Sequence, residues 1–543
     1  VSSFVLVLLT ALLVGYHHKT HVPFDPKVVT EQGDAPLSYE VFAVAASAIN
    51  WKVAGLGVVA FGALLLIDRS RLRIFPEPTL SRWKGSGSLL AAYAVSFALP
   101  IAKYDEPSLV VQRLLPRRSL TDLAVVLSPG DYPLRKAFVP STSLSSDMRH
   151  RDVFLILDES FNARFVETYA PNGKPYTPFL NSILAQGLYV ERFYGNSIQT
   201  AKGQFSTLCS LSPSMSKEFG RFANDHLNCL PRVLKQTDYF SVFFQAYKEI
   251  NFDNTHGFLQ NIGFDRVESV VTHQHPGDEK ETWGWGLQDD VFFRRFFEYL
   301  DETERAASAA RPLFVTLAPI SNHMRFDEVP KGKRAMYAEP SKPEECFANT
   351  VHIADQGLRV FFEELRKRKR YDDAIVVITG DHSFPVGEHG FYHNEVEAFD
   401  EFFRVPLLVI APNLIVPERV SEVPYSQLDI APTLLELTNT KPALTHFVGE
   451  SLLAKPRKVH PIPLVQPYGG EYYAVVEYPF KYIHHLETDR GRLFDLSRDP
   501  KELNNLASDG RYQGHVKHLR GLIRQSLVVD AALENDLVWP KTE

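Results

Sequence analysis

Cysteine is scarce in this chain: three among 543 residues, alongside four methionines and five tryptophans. So few cysteines cannot staple a protein of this size, which excludes a disulfide-built scaffold. Basic charge is not in excess either. Lys and Arg number 58 against 65 Asp and Glu, a net charge of −7, and no global positive field points to nucleic acid as a partner. The mean hydropathy of −0.15 excludes a chain embedded in a membrane along its whole length. A content of 45% hydrophobic and 23% charged residues is a globular mix and excludes a wholly disordered or collagen-like chain. At this length, about two to four structural units are expected.

The long apolar runs that do occur sit at the front. Residues 4–15 and 89–102 carry no charge, and residues 41–67 are apolar apart from Ser47, Asn50 and Lys52. A spanning helix takes about 20 apolar residues, so the middle run is long enough and the other two fall short. Three such runs ahead of a polar remainder predict transmembrane helices within residues 1–104, with buried helices of a soluble domain as the alternative. The chain starts at Val1 rather than Met, so the first span is expected to be cut short, with further spans before it. No basic segment precedes that run, unlike a signal peptide. The loop after the second run holds Arg69, Arg71, Arg73, Arg82 and Lys84, whereas residues 16–40 hold only Lys19 and Lys27. The positive-inside rule then puts the basic loop in the cytoplasm and everything after the third run outside. Arg113, Arg117 and Arg118 weaken the contrast.

Residues 105–147 read as a connector punctuated by Pro107, Pro116, Pro129, Pro133 and Pro140. A core then begins with the apolar run 153–157, of the kind a buried parallel strand shows. Similar runs recur at 239–244, 313–317, 374–379 and 406–410, alternating with helical stretches such as 289–300 and 347–370. This predicts an α/β fold, a largely parallel sheet flanked by helices on both faces. A catalytic domain is expected over residues 148–460, with its C-terminal part and tail over 461–543. The basic cluster at 366–370 is read as the end of a solvated helix complementing its dipole.

Ligands in open α/β sheets gather beyond the carboxyl ends of the strands. Asp158-Glu159-Ser160 follows the first run, and Gly380-Asp381-His382 follows the run at 374–379. Two strand ends can bring carboxylates and an imidazole to one point. That oxygen and nitrogen set suits one divalent metal, Mn2+ first, with Mg2+ or Zn2+ as alternatives. A lone Asp-His after a strand is more often a cap and a surface histidine, and it is the pairing of the two fragments that points to a site. Residues 196–209 read as a loop entering a helix near Thr200. A hydroxyl there would face a helix N-terminus, which favours an anion, and an adjacent cation would favour its alkoxide; a plain N-cap is the alternative. Cys209 and Cys229 flank a loop and could pair in an oxidising exterior, leaving Cys346 free; isolated buried thiols are the alternative.

Taken in order, these motifs resemble the alkaline phosphatase superfamily in its sulfatase-like branch, across about residues 150 to 510. The nearest likeness is to the lipoteichoic acid synthase and phosphoglycerol transferase group, with phosphoethanolamine transferases as cousins. Glu159 in ILDESF matches the family's first metal carboxylate, and Thr200 in SIQTAKGQF matches its threonine nucleophile. Asn322-His323 matches a substrate-side histidine, and Gly380-Asp381-His382 the remaining metal ligands. The stretch GEHG at 387–390 with His393 resembles the following loop. The stretches 426–433, 493–496 and 499–506 resemble scaffold motifs.

The resemblance implies an alkaline-phosphatase/sulfatase-like fold and a metal held by Glu159, Thr200, Asp381 and His382. It implies a phospho-threonine intermediate on Thr200, with His323 and His393 binding substrate. Phosphoglycerol or phosphoethanolamine would move from a membrane phospholipid donor to a glycan or lipid acceptor. The implied location is a bacterial-type inner (cytoplasmic) membrane, multi-pass, with the catalytic domain on the extracytoplasmic, periplasmic side. True sulfatases carry Cys or Ser in a C/S-x-P-x-R context, whereas Cys209 is followed by Ser-Leu-Ser-Pro-Ser and lacks the arginine. A second departure lies at 244–265, where the His, Trp and Arg cluster that holds glycerol phosphate in the Gram-positive polymerases has no evident counterpart. Tyr247, Asn251 and His256 are candidates there, each with a structural role as the alternative. Two other functions fit the same motifs: a metal-dependent phosphodiesterase or sulfatase-like hydrolase using water, and a non-catalytic lipid-binding regulator.

Overall fold

Each of the five apolar runs after residue 150 becomes a strand. The structure is a computed structural model, and it describes residues 125–141 and 150–541 apart from 216, 218, 307–310, 470 and 487. The three apolar runs of residues 1–104, and the orientation expected from their flanking charges, lie outside the described residues. Among the described residues no helix is long and apolar enough to cross a membrane.

The central sheet takes β1 Asp152–Asp158, β2 Leu188–Val190, β3 Phe240–Gln245, β4 Arg266–Ser269, β5 Leu313–Ala318, β6 Ala374–Gly380, β7 Leu407–Ile410 and β8 Glu418–Val420. Their spatial order is β8-β2-β7-β6-β1-β5-β3-β4. Neighbours pair in parallel except around β7, which runs antiparallel to both β6 and β2. The expected largely parallel sheet is therefore a mixed one. An apolar run buried on both faces carries no mark of its direction; the connection decides it. The segment between β6 and β7 forms no α-helix to cross back over the sheet. It stays at the carboxyl end of β6 and re-enters there, with Leu407 opposite Thr379.

Five helices matter for the site: α1 Thr200–Cys209, α2 Asp289–Ala306, α3 Pro343–Lys367, α4 Ile430–Leu437 and α5 Gln513–Glu534. Side chains alternate along β1. Val153, Leu155 and Leu157 face one layer, where Phe205 and Leu208 of α1, Leu434 of α4 and Val529 of α5 are buried. Phe154 and Ile156 face the other, against Phe296 and Phe297 of α2 and Phe361 of α3. Both faces are covered, which is why β1 and β6 are apolar without alternation. Helix α3 begins with Pro343, tolerated in a first turn where the N–H has no partner anyway, and carries Glu344 and Glu345 there. The basic cluster at its end has internal partners: Arg368 pairs with Asp301 at 2.7 Å and Arg370 with Asp152 at 2.7 Å.

A second sheet follows, an antiparallel meander of β9 Ile462–Gln466, β10 Tyr472–Glu477, β11 Phe480–His485 and β12 Arg490–Asp495. Helix α5 covers one of its faces, and Tyr194, Ile198, Phe402 and Phe403 pack on the other. Part of the stretch expected as a connector is built into the same unit. Lys136–Ala137 pairs antiparallel with Leu444–Thr445, and Ser141 donates to Glu436 through its amide at 2.6 Å and its hydroxyl at 2.9 Å.

Cys209, the last residue of α1, is joined to Cys229 by a disulfide, and Cys346 is free. The bridge closes a loop with a sequence separation of 20. Loop-closure entropy for that length is about 3 kcal/mol. The double variant Cys209→Ala/Cys229→Ala is expected to lose about that much stability in urea unfolding. Reductant should then lower the wild-type transition and leave the variant's unchanged.

Candidate active site

The parallel pairing of β1 with β6 sets Asp158 opposite Gly380. The amide of Asp381 donates to the Asp158 carbonyl at 3.0 Å, so Glu159 and Asp381 leave adjacent strands at one level. Glu159, Asp381 and His382 are all buried, and one ligand atom from each lies within 4.8 Å of the others. His382 Nε2 is 3.3 Å from Glu159 Oε1 and 4.0 Å from Asp381 Oδ2. Its Nδ1 is 2.9 Å from the Ser383 carbonyl. Donation there keeps the proton on Nδ1 and turns the Nε2 lone pair toward the carboxylates. Asp381 Oδ1 accepts from the amides of Ser160 at 2.9 Å and His382 at 2.6 Å. Its Oδ2 is buried with no hydrogen-bond partner.

Thr200 is the first residue of α1, and Gln199 before it is extended, with φ −137° and ψ 148°. The Thr200 hydroxyl does not cap the helix. It donates to Glu159 Oε2 at 3.2 Å, which removes the N-cap alternative. The helix can come this close because of Gly203: a Cβ there would lie 1.9 Å from the Asp381 carbonyl oxygen. The loop before Thr200 is tied to the second sheet. Val465 donates to the Asn196 carbonyl at 2.9 Å, and Ser197 Oγ donates to the Val465 carbonyl at 2.8 Å.

Two residues that no spacing marks complete the frame. Gln427 Nε2 donates to the carbonyls of Gly380 at 2.9 Å and Asp381 at 2.6 Å, while its Oε1 accepts from the Asn196 amide at 3.1 Å. It thereby ties the Asp381 segment to the loop that carries Thr200. Asn322 Nδ2 donates to the carbonyls of Glu159 and Ser160, both at 3.1 Å. The stretches 426–433 and 322–323 stand out in the sequence, but nothing in them singles out the amide side chain.

The electrostatics describe a site short of positive charge. Burial, then the charge of Glu159, pushes Asp381 up to about 7. Burial disfavours the His382 cation, but Asp381 and Glu159 outweigh it and raise that imidazole to about 9. Burial is likewise outweighed at Glu159, which His323 and His382 hold at about 2. Two buried carboxylates, one of them with an oxygen lacking a protein partner, and an imidazole lone pair fit a divalent cation. Thr200 adjoins the set through Glu159.

The remaining candidates are spread around this group. His323 is half-buried, with Nδ1 at 2.5 Å from the Met324 carbonyl and its ring 4.5 Å from that of Trp285. His393 lies outside the group of three, beside Asn394, whose Nδ2 donates to the Ile198 carbonyl at 2.5 Å. His389 stacks on Phe399 at 3.9 Å and meets Glu401 at 2.7 Å, a loop-building role. Asp158 also stays outside the group; burial and then the neighbouring carboxylates hold it well above the usual carboxylate range. Cys209 is consumed by its disulfide at the far end of α1, which removes it as a nucleophile.

The family model described as Sulfatase matches residues 151–440. The lipoteichoic acid synthase-like protein YvgJ of Bacillus subtilis is 26% identical over 339 residues, covering 59% of this chain and 52% of that one. The chain spans about half the length of the curated relatives it matches. Among solved structures, an alkaline phosphatase superfamily protein from Vibrio parahaemolyticus has a TM-score of 0.61 at 22% identity, covering 77% of this chain and 96% of that one. The lipoteichoic acid synthase LtaP from Listeria monocytogenes has a TM-score of 0.59 at 22% identity, covering 76% and 97%. These likenesses give the fold: an alkaline phosphatase-like mixed sheet with flanking helices.

Two outcomes follow from this geometry. Gly203→Ala gains about 1 kcal/mol of helix propensity but drives a methyl into a backbone carbonyl. A net loss of about 2 kcal/mol in thermal unfolding is expected, together with weaker Mn2+ binding. In the metal-free protein Asp381 titrates near 7 and His382 near 9, so a cation must displace protons from both. Mn2+ affinity should therefore rise with pH from 6 to 9, and calorimetry in buffers of different ionisation enthalpy should record proton release that shrinks over that range.

Proposed function

The chain belongs to the sulfatase family, and from that premise we propose a metal-dependent phosphotransferase. It moves a phosphoglycerol or phosphoethanolamine group from a membrane phospholipid to a hydroxyl of a glycan or lipid acceptor. The observation that carries the reading is the Thr200 hydroxyl at the start of α1, 3.2 Å from Glu159 within the buried Glu159, Asp381 and His382 group. A threonine here, with no cysteine or serine in a sulfatase context, supports phosphoryl rather than sulfuryl chemistry. The intact group counts against a purely lipid-binding regulator.

Glu159 accepts the Thr200 hydrogen bond and aims the oxygen away from the helix. The amides of Thr200 and Ala201 lie in the first turn of α1, ahead of the bond from Gly203 to the Gln199 carbonyl, where a phosphoryl anion is favoured. A divalent cation held by Glu159, Asp381 and His382, with Thr200 adjoining, would supply Lewis-acid stabilisation of the attacking oxygen and the phosphoryl charge. Mn2+ is the first candidate, with Mg2+ or Zn2+ behind it. Thr200 Oγ1 attacks phosphorus, the bond to the diacylglycerol oxygen breaks, and that oxygen takes a proton. His323, its Nδ1 engaged by the Met324 carbonyl, turns Nε2 outward to assist proton transfer or hold the phosphate. His393 is assigned to the acceptor side of the same loop cluster. A hydroxyl acceptor then attacks the phospho-threonine and frees Thr200.

A lipid donor explains the expected anchor: residues 1–104 would hold the enzyme on the outer side of a bacterial cytoplasmic membrane, where the donor is concentrated. The Cys209–Cys229 disulfide supports that oxidising compartment.

Intact-mass analysis after exposure to phosphatidylglycerol and phosphatidylethanolamine tests the reaction class. A head-group phosphate adduct is expected on the wild type with Mn2+, absent after chelation and absent in Thr200→Ala. Asp381→Asn should slow its formation by about 100-fold or more. Free glycerol phosphate released at one rate with or without acceptor would instead make water the acceptor. No adduct under any condition would remove the covalent mechanism.

A further inference from the structure

The turn that follows β1 holds a residue that the phosphoryl step does not use. Ser160 is 2% exposed and has a φ of +50°, in the left-handed region that is costly for any residue with a Cβ and favours glycine. A turn that needed this conformation alone would be better served by glycine. What serine adds over glycine is one Cβ and one hydroxyl, so the hydroxyl is the reason to look for.

Both donors of Ser160 serve the buried group. Its amide donates to Asp381 Oδ1 at 2.9 Å, and its hydroxyl donates to Glu159 Oε1 at 2.6 Å. The second distance is short, as expected for a hydroxyl on an ionised carboxylate. The same Oγ lies 3.5 Å from His382 Nε2. Ser160 therefore adjoins all three side chains at once. The torsion φ sets the angle between an amide and its own Cβ, so the left-handed turn is what lets both donors reach the two carboxylates.

The surroundings hold this turn in place. Asn322 Nδ2 binds the carbonyls of Glu159 and Ser160. Phe161 is fully buried, and Asn162 Nδ2 donates to the Phe384 carbonyl at 3.0 Å. A strained residue persists when its neighbours fix it from several sides, and such residues gather at working sites.

The hydroxyl settles which oxygen of Glu159 faces which partner. A carboxylate turns easily about its last bond, because that torsion is broad and two-fold. Ser160 keeps Oε1 on the side of His382 Nε2, 3.3 Å away, and Oε2 is left to the Thr200 hydroxyl at 3.2 Å. The Thr200 contact is the longer of the two hydroxyl bonds, so it does not impose this order by itself. The Ser160 amide divides Asp381 in the same way: Oδ1 is taken, and Oδ2 is left without a protein partner.

We infer that Ser160 is a positioning residue: its hydroxyl orients Glu159 so that one oxygen joins Asp381 Oδ2 and His382 Nε2 around a divalent cation while the other meets Thr200. The inference rests on the metal-dependent phosphotransferase reading for its chemistry.

The test uses the full chain in detergent micelles, with Ser160→Gly and Ser160→Ala. Removing a donor that fixes a metal-ligating side chain typically weakens binding by about 10- to 100-fold, and calorimetry should record that loss of Mn2+ affinity in both variants. The metal-free Tm of Ser160→Gly should stay within about 3 °C of wild type, because glycine accepts the turn. At saturating Mn2+ the head-group adduct on Thr200 should form about tenfold more slowly in both, because Oε2 is no longer held toward the hydroxyl. Mn2+ affinity unchanged in either variant overturns the assignment, and so does adduct formation at the wild-type rate. A metal-free Tm of Ser160→Gly below that margin also overturns it, since the serine would then serve folding alone. If wild type binds Mn2+ but forms no adduct, the transfer chemistry fails while calorimetry still decides Ser160. A wild type that takes up no Mn2+ overturns both.

Discussion

One backbone register governs this site: Asp158 opposite Gly380 in the pair of strands β1 and β6. The two strands are apolar and buried on both faces, so burial of Val153 to Leu157 and of Ile375 to Ile378 fixes how they lie. A shift by one residue would turn every one of these side chains to the opposite layer. That register then carries Glu159 and Asp381 into one buried group with His382. Like charges so close in a poorly polarisable interior repel strongly. The sheet thus imposes an arrangement that only protons or a cation can relieve, and part of the folding energy is stored as affinity for positive charge.

The Thr200 hydroxyl is held by a comparable logic. Helix α1 is fixed at its far end by the Cys209–Cys229 disulfide, in its middle by the contact of Gly203 with the Asp381 backbone, and at its start by the ties of Asn196 and Ser197 to the second sheet. Gln427 bridges the loop and the Asp381 segment. The hydroxyl of Thr200 is therefore positioned by elements from four distant parts of the chain, none of which it touches. An oxygen held in this way would need little reorganisation if charge developed on it.

Much of the centre was legible in the sequence. Apolar runs at 153–157 and 374–379 are strands in either direction of reading, and acidic residues just past strand ends are where an α/β sheet gathers ligands. That rule brings out Asp158-Glu159-Ser160 and Asp381-His382, and the family resemblance singles out Glu159 and Thr200. What was not legible depends on contacts rather than on pattern. The direction of β7 is set by a connection that forms no helix. The N-cap reading of Thr200 fails because Gln199 takes the cap position, which leaves Thr200 inside the helix with its hydroxyl on Glu159. Gln427 and Asn322 act through single amide groups on backbone carbonyls, and no periodicity records such a bond. The meander β9 to β12, lacking any crossover helix, blends into the tail of the domain when read as sequence.

The aromatic group of Tyr247, Phe252 and Trp285 was legible only in part: Tyr247 stood out within 244–265, and nothing marked Phe252 or Trp285. The group of Glu159, Asp381, His382 and Thr200 is carried on strand ends and a clamped helix, where a displacement of about 1 Å would disturb the geometry. Tyr247, Phe252 and Trp285 come instead from a strand exit, a turn and a hairpin tip, held together by the close approach of Gly286 to the Ala246 carbonyl. Loops of this kind tolerate substitution, so this surface can change while the register that gathers Glu159, Asp381 and His382 stays fixed. The stretch at 244–265, where the family's phosphate-holding cluster has no evident counterpart, supplies two of the three rings. Those rings reach His323 through Trp285, and the buried group of Glu159, Asp381 and His382 lies outside the stretch.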